Sequence, residues 1–308
     1  CFAAIITCGL LAAIVTLPFA ALPVAYIGLT LGLTAAAVTA ALASALLGVL
    51  AGFGTSLSFV ISFGVPILWL IRLALLSRRP DADGAYEFFP SALIIVQAVI
   101  ISAALASVVF LANIGADQGL PGVFAQSLQQ APQIAALIRT VYGPDTDLLG
   151  VANIILITGF ASWPLILLGT LQSAQMLAQY TGTNLRPAET QDRLAMPVWF
   201  DFALVITLLG TWVTAGWVST LLAVFAAILT GAYFLLGLAV IHAISRDWSG
   251  RVWFLAGLYF LIFVVAWVIL PISLLGLLES RLNLRRSAPR EPKPLQAPPK
   301  SDDDEENS

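Results

Sequence analysis

CFAAIITCGLLAAIVTLPFAALPVAYIGLTLGLTAAAVTAALASALLGVLAGFGTSLSFVISFGVPILWLI, residues 1–71, contains no Asp, Glu, Lys, Arg or His. The first charge is Arg72. A water-facing surface needs charges to stay hydrated and unaggregated, so a stretch of this length does not belong to a soluble domain. As helix it would run about 107 Å at about 1.5 Å per residue, against a bilayer core about 30 Å thick. It must cross and turn back about three times. The chain enters its first apolar run at residue 1, which reads as a first helix joined part-way.

The rest of the chain repeats the pattern. Mean hydropathy is +0.95. Of the 308 residues 59% are hydrophobic and 10% charged, where a soluble domain has about 25% charged. Charge-free gaps run from Glu87 to Asp117, Asp147 to Arg186, Asp201 to His242 and Arg251 to Glu279. The apolar runs are continuous rather than alternating, which selects helices over barrel strands. The expectation is an all-α, polytopic transmembrane helical bundle of about eight spans, near 2–17, 24–52, 55–76, 91–112, 148–175, 199–216, 219–242 and 252–278. The second could be one tilted helix or two short ones, and Pro66 should kink the third. Segment 113–147 is too polar to span and reads as short interfacial helices restarting at Pro132. Residues 1–280 form the membrane domain. The tail 281–308, basic then acidic and proline-rich, reads as disordered.

The net charge of −3 comes from the acidic run 302–306, and no basic patch with interleaved aromatics points to nucleic acid. The partner expected first is the lipid bilayer. Cys1 and Cys8 are too far apart for a disulfide within one helix and read as small apolar residues. There is no GxxxxGK loop and no HExxH motif, and one His with two Cys does not assemble an ordinary zinc site. The expectation is therefore no enzyme, no cofactor and no metal.

Two patterns remain as candidates. Gly28, Gly32, Ala36, Ala40, Ser44, Gly48, Gly52 and Ser56 form a ladder of small residues at steps of four. Such spacing lets helix backbones approach closely in lipid. A four-residue step drifts about 40° per repeat on a straight helix, so the ladder should serve two neighbours in turn, or two short helices. The second pattern is the set of polar residues within or beside spans, costly in lipid unless used. Gln172, Gln175 and Gln179 share a helix face, either lining a solute site or marking the membrane exit. Gln97 and Asn153 read as inter-helix hydrogen bonders that could also face a solute. Asp201 lies near a helix start, where the dipole favours a carboxylate. His242 ends a span as a C-terminal cap.

The stretches LPVAYIGLTLGL (22–33), NLRPAE (184–189), LAMPVW (194–199), LGLAVIHA (236–243) and LLGLLESRLNLRR (274–286) occur in an order and spacing that resembles the YybS-like family of bacterial integral membrane proteins. That resemblance implies the bacterial cytoplasmic (inner) membrane. It is distantly similar to the substrate-binding membrane components of energy-coupling-factor vitamin transporters, and to small membrane proteins of envelope machinery. The first likeness implies a solute pocket and an external ATPase module. The second implies a scaffold that binds other membrane proteins.

Overall fold

In a computed structural model, the structure describes residues 21–78, 87–186 and 196–282. The expected first span, both cysteines and the tail beyond residue 282 lie outside them. Among the described residues the chain is helical apart from one two-stranded ladder. Five helices are long and apolar enough to cross a membrane: Leu33–Ala51, Phe53–Leu75, Ser91–Ala112, Leu148–Tyr180 and Gly216–Ile244. Leu22–Leu31, Val198–Val213 and Arg251–Val264 are apolar but shorter. The all-α membrane bundle is thus observed, and among the described residues three shorter apolar helices accompany the five full-length ones.

The first described unit is a folded ribbon of helices. Helices α1 (Leu22–Leu31) and α2 (Leu33–Ala51) meet at Gly32, and α2 meets α3 (Phe53–Phe59) at Gly52. Both glycines have φ near +90° (92° and 90°) with extended ψ, a conformation that side-chain-bearing residues avoid. Each is a one-residue corner that folds the chain back on itself. Four residues before and after each corner, small residues face each other. A Cβ on Gly28 would lie 3.1 Å from the Ala36 Cβ, and one on Gly48 would lie 3.5 Å from the Ser56 Cβ. The Ser44 and Ser56 hydroxyls are 2.8 Å apart, and Ser56 Oγ donates to the Ser44 carbonyl at 2.9 Å. The small-residue ladder therefore marks two sharp corners with their flanking contacts, and it falls on three helices. Ala36 and Ala40 are buried within this unit.

Gly32→Ala and Gly52→Ala should each destabilise the protein by about 1–2 kcal/mol. A Cβ at either position meets nothing within 4 Å, so the cost is backbone conformation alone. Thermal unfolding of the purified variants checks this, with Gly54→Ala as the control, since Gly54 also has open space around it and no positive φ.

Helix α3 runs through a π turn (Val60–Gly64) into α4 (Val65–Leu75). Pro66 explains the turn. It lacks the N–H that would bond the Ser62 carbonyl, and its ring clashes with that carbonyl in a regular helix. The expected kink is thus a π turn that ends two residues before the proline. Strands β1 (Ser77–Arg78) and β2 (Glu87–Phe88) pair antiparallel.

Helix α5 (Ser91–Ala112) then begins after Pro90. The polar segment folds as α6 (Gly119–Gln129) and α7 (Pro132–Tyr142), restarting at Pro132 as expected. Asp147 caps α8 (Leu148–Tyr180), its carboxylate accepting from the Leu149 and Gly150 N–H groups at 3.0 Å each. Helices α9 (Val198–Val213) and α10 (Gly216–Ile244) form a tight antiparallel pair. The expected eighth span is two helices, α11 (Arg251–Val264) and α12 (Ile269–Leu282), separated by a 3₁₀ turn at Ala266–Val268. Pro271 accounts for the break. It cannot donate to the Trp267 carbonyl, so a helix starts just before it.

Buried apolar residues form two main cores. One joins α1 to α5 and α8, around Leu29, Ile67, Leu70, Ile71 and Leu167. The other joins α5, α9 and α10, around Phe110, Phe200, Val224, Tyr233 and Leu236.

Candidate functional site

The polar candidates are dispersed over five places. Gln175, on α8, donates to the Arg186 carbonyl at 2.8 Å, as does Asn184 at 2.8 Å. Arg186 itself is 5% exposed. Its Nη1 donates to the Ala74 carbonyl at 3.0 Å, and its Nη2 donates to the Phe89 carbonyl at 2.9 Å and to Ser91 Oγ at 3.1 Å. The guanidinium thereby caps the C-terminus of α4, whose last carbonyls have no helical donor and whose dipole favours a cation. Gln172 and Gln179, on the same stretch of α8, are exposed.

Asp201 sits in the first turn of α9 as expected, but its carboxylate does more than meet the dipole. It accepts from Tyr233 Oη on α10 and from Arg281 Nη2 on α12. Tyr233 is 1% exposed, so this group ties three helices through one buried phenol. His242 lies in the last turn of α10. Its Nδ1 is 2.8 Å from the Leu238 carbonyl and its Nε2 is 3.3 Å from Tyr259 Oη. A carbonyl only accepts, so Nδ1 carries the proton and Nε2 accepts from the tyrosine. Asn153 Oδ1, on α8, accepts from Thr220 Oγ1 on α10 at 2.8 Å. Gln97 is half-buried on α5. These seven candidates do not converge on one pocket. Among the described residues no group of three or more His, Cys, Asp and Glu could hold a metal ion.

A cleft of about 430 Å³ lies elsewhere, and none of the seven lines it. Its walls come from α3 and the π turn (Ser58, Ser62), α5 (Leu105), α6 (Phe124) and α8 (Phe160, Trp163). The lining is mostly apolar and carries no charged side chain. The cleft opens to the outside of the bundle, where Ser58 and Ile155 are exposed at its rim.

Its few polar groups are the ones left unsatisfied. Trp163 is 9% exposed, and its Nε1–H has no acceptor among the described residues. Most Ser and Thr side chains in the spans bond back to a carbonyl one turn earlier, as Ser102, Ser107, Thr158 and Thr230 do. Ser58 and Ser62 make no such bond to any described residue. The backbone adds to this. Pro66 stands four residues after Ser62 and Pro164 four after Phe160, so two wall carbonyls lose their usual helical donors. Gly159 also lines the cleft, and a Cβ there meets nothing within 4 Å, so the floor is open at that point.

Sequence reading looked for charged or amide groups and so passed over Ser58, Ser62 and Trp163. The signal that could have found them is the pair of intramembrane prolines.

The fold and the cleft define a polytopic α-helical membrane protein with an uncharged cleft open to the outside of the bundle. Comparison with protein families, curated proteins and solved structures finds no match for the chain.

Proposed function

We propose that the protein is the ligand-binding membrane component of a transport system, non-enzymatic itself and energised by a partner such as an ATPase module, and that its ligand enters from the bilayer. The cleft carries this reading. It opens to the outside of the bundle, its walls are apolar, and its volume falls within the range of small-ligand sites, about 300–1,000 Å³. A charged, water-soluble solute would find no counter-charge there, whereas a lipophilic one would exchange one apolar surface for another. The resemblance to the YybS-like family and its bacterial inner-membrane setting belong to the same proposal.

Gly159→Phe tests it. A Cβ there meets nothing within 4 Å, so the ring starts into the open floor of the cleft. Wild-type protein in detergent should be thermally stabilised by lipophilic ligands, by about 2.7 kcal/mol at a hundredfold excess over Kd, and Gly159→Phe should lose that response while staying folded. No response from wild type across vitamins, metabolites and lipophiles would sink the transport reading.

A second reading, a scaffold for other membrane proteins, draws on α11. This helix has no buried residue. Trp253 is 84% and Phe263 90% exposed, so an aromatic face is available to a neighbouring helix. Pull-down of envelope proteins without a nucleotide-dependent partner would favour it.

A further inference from the structure

We propose that the arginine-bearing end of the bundle faces the cytoplasm, and that the cleft therefore takes its lipophile from the outer leaflet. The second half rests on the ligand-binding reading above and adds the side of the membrane from which the ligand comes.

Side-chain contacts sort the helix ends into two sets. Arg186 donates to the Ala74 carbonyl in the last turn of α4 and to Ser91 at the start of α5, and its own carbonyl accepts from Gln175 late in α8. Those three ends lie together. Helix α10 runs parallel to α8. Thr220 donates to Asn153, and further along both helices a Cβ on Gly231 would lie 3.5 Å from Leu165 Cδ2. The end of α10 at Ile244 thus joins the same set. The end of α5 at Ala112, helices α6 and α7, and the start of α8 at Leu148 make up the other.

The arginines divide unequally. Among the described residues Arg72, Arg78, Arg186, Arg246 and Arg251 belong to the first set, Arg139 alone belongs to the second, and there is no lysine. Arg281 pairs with Asp201 beside Tyr233, near the middle of α10, and counts for neither end. Basic residues in short loops beside span ends stay in the cytoplasm during insertion. The connections at the arginine end, 76–90, 181–197 and 245–250, are all far shorter than the roughly 60 residues up to which that bias holds.

The cleft lies towards the opposite end. At about 1.5 Å per residue, Leu105 is about 10 Å from the end of α5, Ser62 about 14 Å from Phe53 and Trp163 about 22 Å from Leu148. Each wall thus uses the half of its helix remote from the arginines. An ATPase partner works on cytoplasmic ATP, so it would meet the arginine end and act on the cleft through the length of the helices.

An impermeant maleimide applied to intact bacterial cells tests the orientation. The full chain carries Cys1→Ala and Cys8→Ala with one added cysteine. Ser77→Cys and Ser249→Cys report the arginine end, Thr140→Cys and Asp145→Cys the other, and all four positions are exposed. The last two should label in intact cells, and the first two only after permeabilisation. The reverse pattern, or opposite results for the two positions of one end, overturns the inference and leaves the ligand-binding reading intact. Proteoliposomes with a photoreactive-acyl phosphatidylcholine in one leaflet test the rest, the same cysteines fixing the protein's orientation. Crosslinks to 155–163 should form from the leaflet at the Thr140 end and fall to background from the other. Gly159→Phe should remove them while crosslinks to exposed Leu209 on α9 remain. Equal crosslinking from both leaflets overturns the inference. Crosslinks that survive Gly159→Phe overturn the ligand-binding reading and spare the orientation.

Discussion

Gly276→Ala should destabilise the protein by about 3 kcal/mol or more, the upper part of the range for overpacking a close contact. Helices α10 and α12 cross backbone to backbone. A Cβ on Gly276 would run into the Tyr233 carbonyl oxygen and the Gly237 nitrogen, and a Cβ on Gly237 would run into the Ile272 carbonyl oxygen. Neither obstacle is a flexible side chain that can step aside. Both are helix backbone, so the helices must part. In lipid no hydrophobic force draws them together again, because association depends on close packing and hydrogen bonds. Parting them also pulls Arg281 from Asp201, leaving a half-buried carboxylate with Tyr233 alone. Thermal unfolding in detergent should show a lowered Tm for Gly276→Ala. Gly257→Ala on α11, where a Cβ meets nothing within 4 Å, should be neutral or slightly stabilising. Equal Tm values for the two variants would remove the crossing from the forces that hold α12.

The contrast between legible and illegible features follows from what one-dimensional patterns encode. Helix α5 was read to its end residues because an apolar run begins directly after Pro90 and ends in polar Asn113. The glycine corners were not, because small residues at steps of four mark a packing face and a folded-back corner alike. Only the positive φ of Gly32 and Gly52 separates the two, and that is a tertiary outcome. The break in the last expected span has its cause in Pro271, hidden in the sequence by the length of the apolar run around it. Asp201 and Arg281 are 80 residues apart, and no local spacing announces their pairing. The cleft was illegible for a different reason. Its polar groups are serines and a tryptophan, ordinary residues of a span, and what distinguishes them is the absence of a partner.

Arg186→Ala should cost about 3 kcal/mol or more and lower the Tm accordingly, since hydrogen bonds from a charged donor are worth about 1.5–3 kcal/mol each and bare carbonyls remain behind. Ala74, on α4, and Phe89 would lose their donor at a buried site, and Ser91 would lose its contact. Arg186→Lys should recover only part of the loss. One ammonium cannot span the acceptors that the guanidinium fork reaches with two nitrogens. The consequence should also reach the cleft. Arg186 grips α4 at Ala74 and α5 at Ser91, and Gln175 ties its backbone to α8. Those three elements, α4 through the π turn, continue about 18–21 Å along the helices to the cleft walls at Ser62, Leu105 and Trp163. The staple at one end thus sets the spacing of walls at the other. Arg186→Lys, which keeps the charge and part of the contacts, should weaken lipophile binding although it touches no lining residue. Unchanged affinity with a lowered Tm would show that the walls hold their spacing without the staple.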